Sequence, residues 1–501
     1  MISGCSRRKA DNMNGTLYVK RFESNASLEV SEDIILPDYL PEVRRVVGVR
    51  SFVTTDGKYL SGEELEADGS VVCTVIYTSS DGSLAQVSES MAYTGHIPLK
   101  NDDDRFGSGD IVLSACADNV TCRVTAPRKI TLSAKVKLSA VSEKSADASL
   151  RISDAGGDAV VRRKVSAVKT GYMNGVRQSG ECEGEIRERE GMKPVFASGN
   201  ISVSDVRMVK KGGADYVCVK GEVSVNLLLL SPEGAYVQSR GRTSFEEEIP
   251  GSAADGENID PTAFCSVVML EVDGGEDGIF RWKAEYDVDC VLIHGREAEI
   301  TDDAYLTEKP DTLTRGEFRV CAPAAAVNGR LTTSAQTSLR PDTAFVCAWG
   351  SASADKAEIA LNKVNITGSV RICVVTVGGG EFYFDETSVP LKYTGDALCA
   401  SGVPVPASGR MEVEVCDITA RADGNTLSLT AELFITAALL TEEGKTAAVM
   451  LEAAEGDAET AGSGRNRIRV YVPDSDEGPW DVEKKFRLGH EAVREGDVYV
   501  I

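Results

Sequence analysis

Alternation of apolar and polar residues is the main pattern along this chain. Lys129-Ile-Thr-Leu-Ser-Ala-Lys-Val-Lys-Leu138 places an apolar residue at every second position. That is the period of a strand with one covered face and one wet face. Stretches 281–293 and 426–436 alternate in the same way. Stretch 16–32 alternates more weakly and is expected to form a first strand. A helical pattern emerges at Pro479-Trp-Asp-Val-Glu-Lys-Lys-Phe-Arg-Leu488, with proline early and Trp480, Val482 and Phe486 apolar.

The alternating segments recur. Gly69-Ser-Val-Val-Cys-Thr-Val-Ile-Tyr-Thr-Ser-Ser-Asp-Gly82 aligns without a gap on Gly221-Glu-Val-Ser-Val-Asn-Leu-Leu-Leu-Leu-Ser-Pro-Glu-Gly234, at a shift of 152. Ile97-Pro98 falls on Ile249-Pro250 at the same shift. A weaker third copy begins at Gly368-Ser-Val-Arg-Ile-Cys-Val-Val and is expected to end at Tyr393-Thr-Gly395, matching Tyr93-Thr-Gly95. Each copy predicts a strand, a glycine-containing turn and a returning strand. A period near 150 residues is the length of a domain rather than of a solenoid repeat.

These patterns divide the chain into β domains at 16–150, 160–308 and 312–451, a linker at 452–466 and a small module at 467–501. The expected fold is mainly all-β: tandem antiparallel β-sandwich-like domains followed by a very small α+β module. Residues 141–195 read as a connection plus the opening strands of the second domain. The linker is small, acidic and contains Gly and Ser, so the module is expected to move independently of the β domains. Stretch 33–47 (Asp-Ile-Ile-Leu-Pro-Asp-Tyr-Leu-Pro-Glu-Val-Arg-Arg-Val-Val) cannot be a helix across Pro37 and Pro41, and is expected to be a rigid path onto the first domain.

A net charge of −24 argues against nucleic acid and anionic membranes as partners. From residue 465 onward basic and acidic residues nearly balance, so the acidity lies upstream. No stretch reaches the roughly 18 apolar residues of a membrane span, and residues 1–15 lack the apolar core of a signal peptide. Ile2-Ser-Gly-Cys5 fits the short pattern of a lipoprotein cleavage site, but no hydrophobic stretch precedes it. The 13 cysteines form no Cys-x-x-Cys pair. They read as buried reduced thiols or, alternatively, as groups cross-linked later in an extracellular shell. Three dispersed histidines do not suit a His-rich metal site. The acidic loops 101–110 and 251–260 lack the spacing of a calcium-binding loop. There is no phosphate loop, nucleophile elbow or zinc motif, so no catalytic, cofactor-binding or metal residue is assigned and an enzyme is not expected.

Two resemblances follow from these stretches. Trp480-Asp-Val-Glu-Lys-Lys-Phe486 and Glu495-Gly-Asp-Val-Tyr-Val-Ile501 resemble parts of a LysM module, with the second helix and its loop shortened or lost. The 33–47 motif, the Gly69 to Tyr77 hairpin and Arg128-Lys-Ile-Thr-Leu-Ser-Ala-Lys-Val136 are similar to the SPOCS domain family of sporulating Clostridia. That resemblance implies a spore-envelope morphogenetic protein, made in the mother-cell cytoplasm and assembling onto the forespore surface and coat. It implies a scaffold acting through protein–protein contacts. The tail would dock a coat basement-layer protein through Pro479, Trp480 and Phe486. The alternative is a LysM-type protein that binds peptidoglycan or cortex glycan. Trp480 and Phe486 either fill the module's small core or place one aromatic outward as an anchor.

Overall fold

A computed structural model describes residues 15–99, 107–153, 160–251, 258–275, 277–307, 309–454 and 470–501. Antiparallel strands make up nearly all of it. The first unit comprises β1 (Thr16–Ile35), β2 (Val43–Ser61), β3 (Glu64–Ser79), β4 (Leu84–Pro98), β5 (Val112–Ala126) and β6 (Lys129–Asp147). After the short β7 (Arg151–Ile152), the second comprises β8 (Val161–Arg187), β9 (Lys193–Lys211), β10 (Ala214–Leu230), β11 (Tyr236–Gly251), β12 (Asn258–Gly274) and β13 (Ile279–Leu306). The third comprises β14 (Asp311–Ser338), β15 (Ala344–Ala360), β16 (Lys363–Gly378), β17 (Glu381–Asp396), β18 (Val405–Asp423) and β19 (Thr426–Ala453).

All three units share one topology. The second, third and fourth strands form a meander, and the sixth strand pairs with both the fifth and the first. These two layers enclose an apolar core in each unit; in unit three β15 also pairs with β18, which joins its layers into one sheet, and β14 pairs with β1 of unit one. The fifteen residues of 455–469, which hold most of the expected linker, lie outside the described residues. So do 1–14, 101–106 and 252–257, which cover the Cys5 pattern and much of both acidic loops. Residues 452–453 belong to β19 and pair with Thr312 and Asp311. The region 141–195 is more regular than its composition suggests, since β6 runs to Asp147 and β8 is one 27-residue strand.

The repeated glycines have a steric cause. A Cβ on Gly69 would lie 2.0 Å from the Thr54 carbonyl oxygen and 2.6 Å from the Tyr93 hydroxyl. Gly221 is covered in the same way by the Ser202 carbonyl and the Phe245 ring. Cross-strand aromatics therefore lie on glycine in units one and two. The third unit departs from the expected match. Gly368 pairs with Leu391, while Tyr393 pairs with Ile366 and lays its ring against Gly329 of β14.

The 33–47 motif is a corner between the two layers of unit one. Arg128, at the turn before β6, donates to the carbonyls of Leu36 (3.3 Å), Pro37 (2.6 Å) and Leu40 (3.2 Å). The Tyr77 hydroxyl donates to the Pro41 carbonyl, and Lys129 pairs with Asp33 at 2.7 Å. Two motifs far apart in sequence thus meet, and their contacts brace the corner.

The three units close into a ring. β4 lies against β9, β11 against β15, and β17 against β2, so the fourth strand of each unit meets the second strand of the next. Such a heterologous contact, repeated three times, closes on itself. Equivalent positions Ile76, Leu228 and Val375 meet in one apolar cluster with Phe196, Trp349 and Phe382. Beneath it Arg50 of unit one donates to Asn200 of unit two at 2.6 Å, and Asn200 donates to the Cys416 carbonyl of unit three at 3.0 Å.

The paired first and sixth strands then run beyond their sandwiches and pack on one another as a stalk. Burial records the change. Along β19, Leu427, Leu429, Ala431 and Leu433 are buried alternately, after which every residue through Thr441 is buried. One face is covered in the sandwich, and both are covered in the stalk.

Among the described cysteines, the eleven other than Cys116 are free thiols. Burial pushes Cys73 and Cys347 up to about 12, which leaves little thiolate at neutral pH. Titration of the native protein with a thiol reagent is expected to report only a small fast fraction. Denaturation is expected to raise the count severalfold. Equal counts in both states would contradict this burial.

Candidate functional site: the C-terminal module and its seat

The tail folds as β20 (Val470–Tyr471), α1 (Pro479–Lys485), β21 (Val493–Glu495) and β22 (Val498–Val500). β22 is central, and β20 and β21 flank it. Pro479 occupies the first helical turn, where its missing N–H costs nothing. The Asp481 carboxylate accepts the Gly478 N–H at 2.9 Å and so closes the helix start.

The two aromatics have different surroundings. Phe486 meets the Tyr471 ring edge-on at 5.0 Å, within the module. Trp480 points instead at the body of the protein. Its ring lies 5.3 Å from that of Tyr305, and its indole N–H donates to Asp303 Oδ2 at 2.9 Å. Val482, Leu488 and Tyr499 are the module's buried hydrophobic residues.

The module is therefore seated on the body, in contrast to the free-standing unit expected from its linker. The seat is the far end of the stalk. Lys484 donates to both Asp303 oxygens, at 2.6 and 2.8 Å. Arg487 reaches the Leu306 and Lys309 carbonyls and the Asp311 carboxylate. Arg162 pairs with Glu483 at 2.9 Å, and the Tyr305 hydroxyl donates to the Leu488 carbonyl at 2.7 Å. Burial acts to raise the Asp303 carboxyl, but Lys484 and Trp480 outweigh it and hold the group below its ordinary value.

The junction is mainly polar. The seven apolar clusters of the described residues contain no side chain of the module. Hydrogen bonds, ion pairs and one aromatic contact hold it, as in interfaces between separable domains. Asp303→Ala removes the acceptor for two donors of the module, Trp480 and Lys484, and for Arg315 of β14, and is expected to weaken the seat by about 1–3 kcal/mol. Hydrogen exchange would read this as faster exchange in α1, with the three sandwiches unchanged.

The seat was not legible in the sequence, because Arg162, Asp303, Tyr305 and Asp311 share no motif. No described helix is long and apolar enough to cross a membrane. Among the described residues no group of three or more His, Cys, Asp or Glu side chains converges as a metal site. A cleft between units two and three is lined by Arg240, Arg242, Arg330, Glu222, Asp417 and Glu432. Its charges are internally balanced, with Arg240 paired to Asp417 and Arg242 to Glu222. Neither a family model nor a curated protein nor a solved structure matches the chain.

Proposed function

We propose that this chain is a non-enzymatic structural protein of the spore envelope. It scaffolds coat assembly at the forespore surface through protein–protein contacts, and the C-terminal module docks a coat basement-layer protein. The observation that carries the reading is the placement of the module. A closed three-unit body presents it at one end of a stalk, held by polar contacts that permit it to serve as a distinct binding element. The resemblance of 33–47, 69–77 and 128–136 to SPOCS domains supplies the cellular setting.

Truncation tests the reading. Removing 465–501 is expected to abolish recruitment of the tagged protein to the forespore, with the sandwiches still folded by circular dichroism. A truncated protein that still localises would assign docking to the acidic β units. Retention of the full chain on purified cortex would favour peptidoglycan as the ligand instead.

A further inference from the structure

The outer face of the module's sheet carries an unusual pattern. Val470 and Val493 both pair with Val500, so the three side chains share one face of the sheet. The intervening row holds Tyr471, Tyr499 and Arg494 on the opposite face, where Tyr499 is fully buried. Val498 and Glu495 continue the outer face, and Val472 extends the alternation of β20 toward them. Val470, Val472 and Val493 are 61%, 70% and 57% exposed. A solvated outer face would carry Thr, Lys or Glu at these positions. Here the face is valine except for Glu495.

Among the described residues, charge around the face is one-sided. Glu495, Asp497, Asp474 and Asp476 are exposed on the strand ends and adjoining turns. The described basic residues of the module act elsewhere. Lys484 and Arg487 hold the seat, Lys485 pairs with Glu477, and Arg494 lies over the Tyr499 ring. Five valines offer on the order of 300 Å², against about 800 Å² per partner in a stable interface. Two copies meeting face to face would bury too little and would oppose their acidic rims. An aliphatic segment edged by lysine or arginine satisfies both the apolar face and the rim.

Resting on the docking role proposed above, we infer that the partner is seated on the outer valine face, Val470, Val493 and Val500, and presents an aliphatic segment flanked by basic side chains. Trp480 is then a residue of the internal seat and not the anchor.

The test uses the full-length chain and its triple variant Val470→Thr, Val493→Thr, Val500→Thr, which keeps β-branched side chains in the strands. Three synthetic peptides serve as probes, alternating Lys with Val, Lys with Ser, and Glu with Val. The Lys–Val peptide is expected to bind at least tenfold more tightly than either other peptide, and the triple variant to lose that margin. Unchanged hydrogen exchange at Tyr499 in the variant would establish that the module remains folded. Equal binding of Lys–Val and Lys–Ser would overturn the inference, as would an unaffected variant. Self-association abolished by the triple substitution would assign the face to a second copy, and also overturns it. In sporulating cells, loss of recruitment in the truncation but not in the triple variant would sink this inference and leave the docking reading standing. Recruitment of the truncated chain would sink the docking reading itself.

Discussion

Trp349→Ala is expected to open the ring while leaving the three sandwiches folded. Trp349 is 8% exposed and sits where the units converge. Its ring centroid lies 6.4 Å from that of Phe196 in unit two and 5.9 Å from that of Phe384 in unit three. Gly48 of unit one meets the indole so closely that a Cβ there would fall 2.5 Å from it. One side chain therefore touches all three units. Truncating a buried tryptophan costs about 3–5 kcal/mol, as lost transfer energy plus the cavity left behind. Most of that cost falls on contacts between units, because each sandwich keeps its own core. Hydrogen exchange should accelerate at the ends of β2, β9 and β15, with protection retained in β3, β6, β10, β13 and β19. Uniform acceleration through all strands would show that the units fold as one cooperative block and that the ring is not a separable level.

Raising the pH from about 5 to about 8 is expected to destabilise the stalk through Glu143. This carboxylate lies in β6 and is 8% exposed. It accepts the Met173 N–H of β8 at 3.1 Å and stands across from Lys20 of β1. Lys20 in turn is paired with Glu23 and with Glu442 of β19. The thiol of Cys321 in β14 is also close to Glu143. Burial raises the Glu143 carboxyl to about 7, against the opposing effects of the Met173 N–H and of Lys20. The folded protein therefore holds a proton between the ordinary carboxyl value of 4.5 and about 7 that the unfolded chain has released.

The sign follows directly. The folded value is raised, so its contribution is fully present below 4.5 and is lost as pH rises through about 7. The change amounts to about 3 kcal/mol across that window. Glu414, close to Arg50 at the junction of the three units, is raised to about 8 by burial and acts in the same direction. Urea denaturation at pH 5 and pH 8 should show the fall; Glu143→Gln should remove the Glu143 share of it and leave the Glu414 share. Equal stability at the two pH values in the parent protein would contradict the assignment.

Much of the architecture was legible because strands write themselves in the sequence with a period of two. The hairpins at Gly69 and Gly221 were readable because a glycine covered by an aromatic is a local requirement, repeated in units one and two. The third unit was read two residues out of register at Tyr393. There the ring covers Gly329 on a neighbouring strand, a contact that no single hairpin encodes. The alternation of 426–436 marks a strand with one wet face, whereas every residue from Leu433 to Thr441 is buried. That pattern could not say what covered the second face.

By itself the sequence determined the strands, the threefold repetition of one unit, and the small helical module at the end, since each depends on residues near one another in the chain. Tertiary structure alone decided that the units close into a ring, that Arg50 and Asn200 bridge them, and that Trp480 faces Asp303. The last two contacts join residues 150 and 177 positions apart. Apolar residues at both kinds of interface look alike in sequence, so local pattern cannot distinguish a core closed within one unit from a surface closed against another.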